Sequence, residues 1–181
     1  MTKFRAARVR FFHRQALPVA LVFFVLSSQP HSVRAETVPQ VQLAAGNAGP
    51  RTLEALTQES VVRQYGHAWQ NLSDAFEYSL PEALNDYFVG AVKDQLLSSV
   101  ADQQKVGMRS RYVNQRHKID VVFYAPEGDV LELHDTMECE LQVFDGDKSI
   151  HNEPTILHYV VLMTPGADRW VIRQLQAVSQ F

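Results

Sequence analysis

The hydrophobic pattern of this chain changes period once and does not change back. Between Leu53 and Val100, apolar side chains recur every three or four residues, the spacing of one helical face. Between Arg116 and Val178 they recur every second residue, the spacing of one face of a strand. A chain that spends its helical residues first and its strand residues last cannot alternate them into parallel βαβ units. It is confined to an α+β arrangement, with helices packed on one face of an antiparallel sheet.

The helical half predicts three helices. The first starts near Thr52, a capping residue type, and its stripe runs through Leu53, Leu56, Val61, Tyr65, Ala68, Trp69, Leu72 and Phe76. Gly66 lies inside it and marks close packing or a bend. Pro81 opens a short second helix, PEALNDYF. AVKDQLLSSVADQQKV forms the third, ended by Gly107. The strand half predicts RHKIDVVFYA at 116–125, a long strand over 130–144, PTILHYVVLMT from Pro154, and a last strand over 169–178. Turns fall at 126–129 and 165–168, Asp145-Gly146-Asp147 signals a hairpin, and polar residues 148–154 read as loop. Leu175 falls out of phase with Trp170 and Ile172, which calls for a β-bulge near Arg173-Gln174. A strand of about 15 residues must coil with the sheet's twist. The expected product is three helices packed on a curved four-stranded antiparallel sheet, a cone with a concave interior.

Residues 1–35 stand apart. They open with Lys3, Arg5, Arg8, Arg10 and Arg14 and no acid, continue through ALPVALVFFVLSS, and end in QPHSVRA with small Val33 and Ala35. A basic start, an apolar middle and a small-residue end make up a secretory signal, with cleavage expected after Ala35 and a periplasmic or secreted destination. The apolar run falls short of the roughly 20 residues of a membrane span. An uncleaved anchor or an organelle transit peptide has the same composition, and only the anchor would bring the chain to a membrane. Residues 36–50 mix Pro, Gly, Asn and small side chains without period and read as a flexible linker, leaving 51–181 as the domain.

Residues 1–35 hold six of the 17 Lys and Arg and none of the 20 Asp and Glu, so the exported chain has 11 basic against 20 acidic residues, a net of −9. Affinity for nucleic acid and anionic lipid rests on Lys and Arg, so a nucleic-acid partner is not expected. Cys139 is the only cysteine, which rules out an intramolecular disulfide. It falls on an apolar face without a flanking cation and reads as a small buried hydrophobe.

Chemistry is sparse, and the stretch LELHDTMECELQVF at 131–144 carries most of it. One face is Leu131, Leu133, Asp135, Met137, Cys139, Leu141 and Val143, apolar except for one carboxylate. A buried carboxylate needs a partner. Arg109, Arg111, Arg116, Tyr124 and a histidine on a neighbouring strand are the candidates. His158 alternates with Ile156, Val160 and Leu162 and is expected in the layer of Asp135, whereas the adjacent His134 points to the opposite face. A structural, hydrogen-bonded aspartate, or a bulge that turns Asp135 outward, is the plainer reading. No HxH, HxxxH or HExxH spacing, glycine-rich phosphate loop or GxSxG occurs, so neither a metal site nor a cofactor is expected. The opposite face of that strand carries Glu132, His134, Glu138 and Glu140, either a solvated surface or a docking stripe for a basic partner.

VVRQYGHAWQNLSDAF in the first helix, LNDYFVGAVKDQLLSSV in the helical pair and LHYVVLMTPGADRWVIRQLQAV in the last hairpin resemble the nuclear transport factor 2-like superfamily. Within it the arrangement is most similar to the C-terminal domain of plastid-division inner-envelope proteins and their bacterial relatives. It resembles, less specifically, extracytoplasmic adaptor domains of type IV secretion systems. The resemblance covers 52–181 and its motifs are structural. It implies the cone, and it implies enzymes, ligand carriers and assembly modules alike. In the superfamily's enzymes a cone-facing carboxylate is the general base. That makes Asp135, with His158 or Tyr124, the best catalytic candidate, for a small lyase, isomerase or hydrolase. Trp69, Phe123, Leu133, Asp135, Met137, His158 and Trp170 would line a pocket for a small apolar ligand. Members of the superfamily often dimerise through the open sheet face, where Val122, Tyr124 and Phe144 would contribute. The reading preferred from the residues is a non-enzymatic exported module that binds a protein partner or a second copy of itself.

Overall fold

The computed structural model describes residues 38–46 and 48–181. The expected signal segment, its cleavage site and the destination they imply lie outside the described residues.

Two α-helices and one five-stranded sheet make an α+β fold. In chain order they are β1 (Gln40–Ala44), α1 (Ala55–Tyr78), a 3-10 turn (Pro81–Asn85), α2 (Ala91–Lys105), β2 (Met108–Tyr124), β3 (Leu131–Asp145), β4 (Lys148–Pro165) and β5 (Trp170–Val178). The strands lie side by side in that order; β1 runs parallel to β2, and the remaining pairs are antiparallel.

Four expectations need correction. The sheet has five strands, because Gln40–Ala44, inside the supposed linker, pairs with β2 from Gln40↔Arg116 to Ala44↔Asp120. Only Val41 and Leu43 alternate there, a signal too short to stand out, and both pack against the core. The second helix is a single 3-10 turn. α1 starts at Ala55 rather than at a Thr52 cap, and Glu54 at its N-cap is held by Arg51 at 2.5 Å. Finally, β2 begins at Met108, and the polar stretch 148–154 is strand. Both segments pair with the far end of β3, Met108↔Asp145 and Glu153↔Leu141; residues 108–113 are half-buried and 148–154 exposed, so no apolar alternation appears in their sequence.

The core lies between α1 and the inner face of the sheet. Val61, Tyr65, Ala68, Trp69, Leu72 and Ala75 meet Ile119, Val121, Leu131, Leu133, Met137, Val161, Met163 and Ile172, all buried. The turns expected from Gly128 and Gly146 form with those glycines at φ +77° and +56°. The bulge expected near Arg173 is present: Leu162 pairs with Gln174 and Met163 with Ile172, leaving Arg173 extra. Similar shifts occur at Asn114-Gln115, Val122 and Ile150. Each bends its strand and resets which side chains face the helices.

Gly66 marks close packing. A Cβ built there would meet Val38 Cγ1 at 3.3 Å, with Pro39 O and Val41 Cγ2 at 3.6 Å. The bare helix backbone lets the β1 segment lie against α1. Gly66→Val should therefore destabilise the domain by about 1–3 kcal/mol through overpacking. The denaturant midpoint would fall, and amide exchange should accelerate first in residues 40–44.

Candidate functional site

Asp135 faces inward, as its alternation requires, and its side chain has zero exposure. Two neighbours hold it. Tyr65, from the middle of α1, donates its hydroxyl to Asp135 Oδ2 at 2.8 Å. His117 Nδ1, on β2, lies 2.8 Å from the same oxygen, and its side chain is also fully buried. With Asp135 as a carboxylate, that contact requires a proton on Nδ1. Oδ1 is buried and meets no donor among the described residues.

The network extends from the other ring nitrogen. Gln115 Oε1 lies 3.4 Å from His117 Nε2, while Gln115 Nε2 donates to Ser73 Oγ at 2.7 Å and to the Tyr112 carbonyl at 3.3 Å. Ser73 in turn donates to the Trp69 carbonyl at 2.8 Å. The Tyr112 carbonyl can only accept, so the Gln115 amide is oriented with its Oε1 toward His117 Nε2. Gln115 enters the site through the bulge at Asn114-Gln115, where Asn114 takes the left-handed φ of 56° that asparagine tolerates. Trp69 lies over His117 at a ring distance of 4.7 Å, and Tyr65 meets it edge-on at 5.6 Å. Burial, and secondly the Asp135 charge, push the Tyr65 hydroxyl well above its ordinary pKa, so it stays a donor.

The remaining candidates separate. Leu133 and Met137 flank Asp135 in the buried face, and Trp69 caps its histidine. His158 is not in that layer. The register pairs it with Thr136, whose hydroxyl lies 3.2 Å from its Nδ1, while Tyr159 stands opposite Asp135. Strand β4 is apolar on both faces, so alternation alone could not say which was inner. Phe123 and Tyr124 exchange faces for a different reason. Val122 is an extra residue, so Phe123 pairs with Glu132 on the outer face and is 38% exposed, while Tyr124 turns inward. Tyr124 packs near Trp170, with ring centres 6.4 Å apart, under the Arg51 guanidinium. Trp170 is buried there and its backbone N–H donates to Gln64 Oε1, so neither residue joins the Asp135 cluster.

The arginines considered as partners for Asp135 are engaged elsewhere: Arg109 with Asp147, Arg111 with Glu77 and Arg116 with Glu138. The acidic stripe is partly neutralised. Lys118 and Arg116 hold the Glu138 carboxyl below its usual range, and Glu140 accepts from Gln142. Of the residues expected to serve a dimer contact, Tyr124 is buried and Phe144 lies under Arg109 and Arg111. Among the described residues no three His, Cys, Asp or Glu side chains gather as metal ligands, and no helix is long and apolar enough to cross a membrane.

Tyr65 and His117 are the residues that sequence reasoning missed. His117 alternates with Ile119 and Val121, a polar residue on an apolar face like Asp135 itself. That shared anomaly was the available signal. What the sequence lacks is the register, His117↔Met137 and Ile119↔Asp135, that sets the two on a diagonal.

In known proteins the likeness is one of fold. No family model matches the chain, and no curated protein matches it. Among solved structures, the intermembrane-space region of the chloroplast protein ARC6 superposes with a TM-score of 0.58 at 17% identity, covering 71% of this chain and 98% of that one. A protein of unknown function with a cystatin-like fold from Nostoc punctiforme matches with a TM-score of 0.38 at 15% identity, over 70% of this chain and 95% of that one.

Two predictions follow the geometry of the cluster. His117→Ala should cost about 3–5 kcal/mol, because it leaves a buried carboxylate without its main partner. Tyr65→Phe should cost about 1–3 kcal/mol, the loss of one buried donor. Urea unfolding of each variant measures both, and a His117→Ala domain as stable as wild type would contradict the assignment. Burial raises the Cys139 thiol from 9.0 to about 11. Its thiolate fraction at pH 8 is then about 100-fold below that of the unfolded chain. Ellman's reagent should accordingly label the native protein about that much more slowly than the denatured one.

Proposed function

We propose that this chain is a non-enzymatic, extracytoplasmic module of the nuclear transport factor 2-like kind that works by binding a protein partner. One observation carries the reading: the buried polar cluster around Asp135, the most chemically distinctive among the described residues, is sealed. A general base must come within about 3 Å of the proton it removes. Asp135 and His117 expose no side-chain surface, and Tyr65 and Trp69 lie over them. The cluster fastens α1 to the sheet. Its geometry is that of a structural hydrogen-bonded cluster.

Two further observations support the reading. The fold is shared with the intermembrane-space region of the chloroplast protein ARC6. The basic, apolar, small-residue order of residues 1–35 is that of an export signal.

The test is a pull-down with the tagged protein from an extracytoplasmic extract, run in parallel for wild type and Asp135→Asn. A single stoichiometric protein should be recovered in equal amount with both, while the variant unfolds at lower denaturant. Recovery of a small-molecule turnover that Asp135→Asn abolishes at full folding would refute the proposal.

A further inference from the structure

Several stretches of sheet edge lack a strand partner among the described residues, the outer side of β1 (Gln40–Ala44) included. Residues 148–157 of β4 extend beyond β5, but they carry Lys148, the bulge at Ile150 and Pro154, which has no N–H to offer. Residues 108–115 of β2 extend beyond β1 and end in the bulge at Asn114-Gln115. Residues 173–177 of β5 begin at the bulge at Arg173 and hold no proline and no lysine.

The β5 edge is already used as a pairing surface one step upstream. Ile172 N–H donates to the Tyr87 carbonyl at 2.7 Å, and Val89 N–H donates to the Ile172 carbonyl at 3.1 Å, in a parallel bridge between Phe88 and Ile172. The chain then leaves. Gly90, at φ 65° and ψ −146°, turns it into α2. Beyond that departure lies a groove of about 470 Å³, lined by Ala91, Val92 and Gln95 of α2 and by five consecutive residues of β5 from Arg173 to Ala177. Consecutive strand residues point to alternate faces, so five in a row can line one wall only if the backbone edge is that wall. Pairing parity through the Arg173 bulge gives Leu175 and Ala177 the outward N–H and C=O that Ile172 has. Arg173 forms no ion pair with a described residue; its Nε donates to Thr164 Oγ1 at 3.4 Å.

We propose that the β5 edge accepts an extended peptide segment of a partner protein, added parallel to β5 where Tyr87 to Val89 leave off, with an acidic side chain beside Arg173. This rests on the proposal that the chain binds a protein and names the place and the mode. Main-chain hydrogen bonds to Leu175 and Ala177 supply the affinity, and the groove wall from α2 limits side-chain size. At about 3.3 Å per residue, the open edge takes roughly five residues.

A phage library of random linear dodecapeptides, panned on the full 181-residue chain, supplies the probe. Enriched peptides should carry an acidic residue and slow amide exchange at Leu175 and Ala177 roughly tenfold or more. Ala177→Pro removes an edge donor without touching the β4 ladder, and should weaken binding by about tenfold, the loss of one main-chain hydrogen bond. Should Ala177→Pro fold poorly, N-methylation of alternate peptide amides makes the same cut from the ligand side. Arg173→Glu should weaken acidic peptides alone. The proposal fails if the two amides are already protected in the free protein, if no peptide is enriched, or if enriched peptides bind Ala177→Pro and N-methylated forms equally well. A stoichiometric partner recovered equally by wild type and Ala177→Pro would overturn the edge and leave the module reading standing. Edge-binding peptides with no partner recovered would do the reverse.

Discussion

The structure depends on one buried carboxylate. Asp135 sits at the centre of β3 and takes two hydrogen bonds on one oxygen, one from the helix through Tyr65 and one from the neighbouring strand through His117. Those bonds join the two layers at a point that apolar packing alone would leave free to slide. Hydrophobic burial is non-directional, and it would hold α1 over the sheet in several rotations almost equally well. A charge-assisted bond of fixed geometry selects one of them. The cost is a carboxylate removed from water, and the two donors together with the aromatic walls of Trp69 and Tyr65 offset it. A fold without disulfides gains a unique helix position in this way.

Bulges set the second constraint. Strand alternation assigns faces with a period of two, so each extra residue inverts every assignment beyond it. Val122 sends Phe123 to the surface and Tyr124 to the core; Asn114 and Gln115 bring a side-chain amide to the imidazole; Arg173 restores Leu175 to the inner face. Two of these three alter the candidate site. The bulge at Arg173 was legible because a hydrophobe fell out of phase after Trp170 and Ile172. The one at Val122 was not, since VVFY is apolar whichever way it is read, and a shift inside an apolar run leaves no trace in the pattern. The one at Asn114-Gln115 lies in a stretch without hydrophobic alternation, where there was no phase to lose.

The short parallel strand β1 and the departure of the chain at Gly90 complete the sheet's two margins. On one side, Gly66 admits β1 against α1 and β1 covers the middle of β2. On the other, the segment from Tyr87 to Val89 covers only the first residues of β5. β1 is thus the edge strand of one margin, and on the other the chain covers only the first residues of β5.

By itself, the sequence determined the class of the fold, the position of most strands and turns, and the inward orientation of Asp135. Each follows from local periodicity or from residues with restricted backbone preferences, and both are written in consecutive positions. Only the tertiary structure decided that His117 and Tyr65, rather than His158 or Tyr124, hold that carboxylate. It also decided that Gln40–Ala44 is a strand, and that the long β3–β4 arm continues through polar residues. Pairing register, parallel association across 76 residues and the face chosen by a strand apolar on both sides depend on contacts between segments distant in the chain. No local pattern encodes these, because the free energy that selects them exists only once the layers have met.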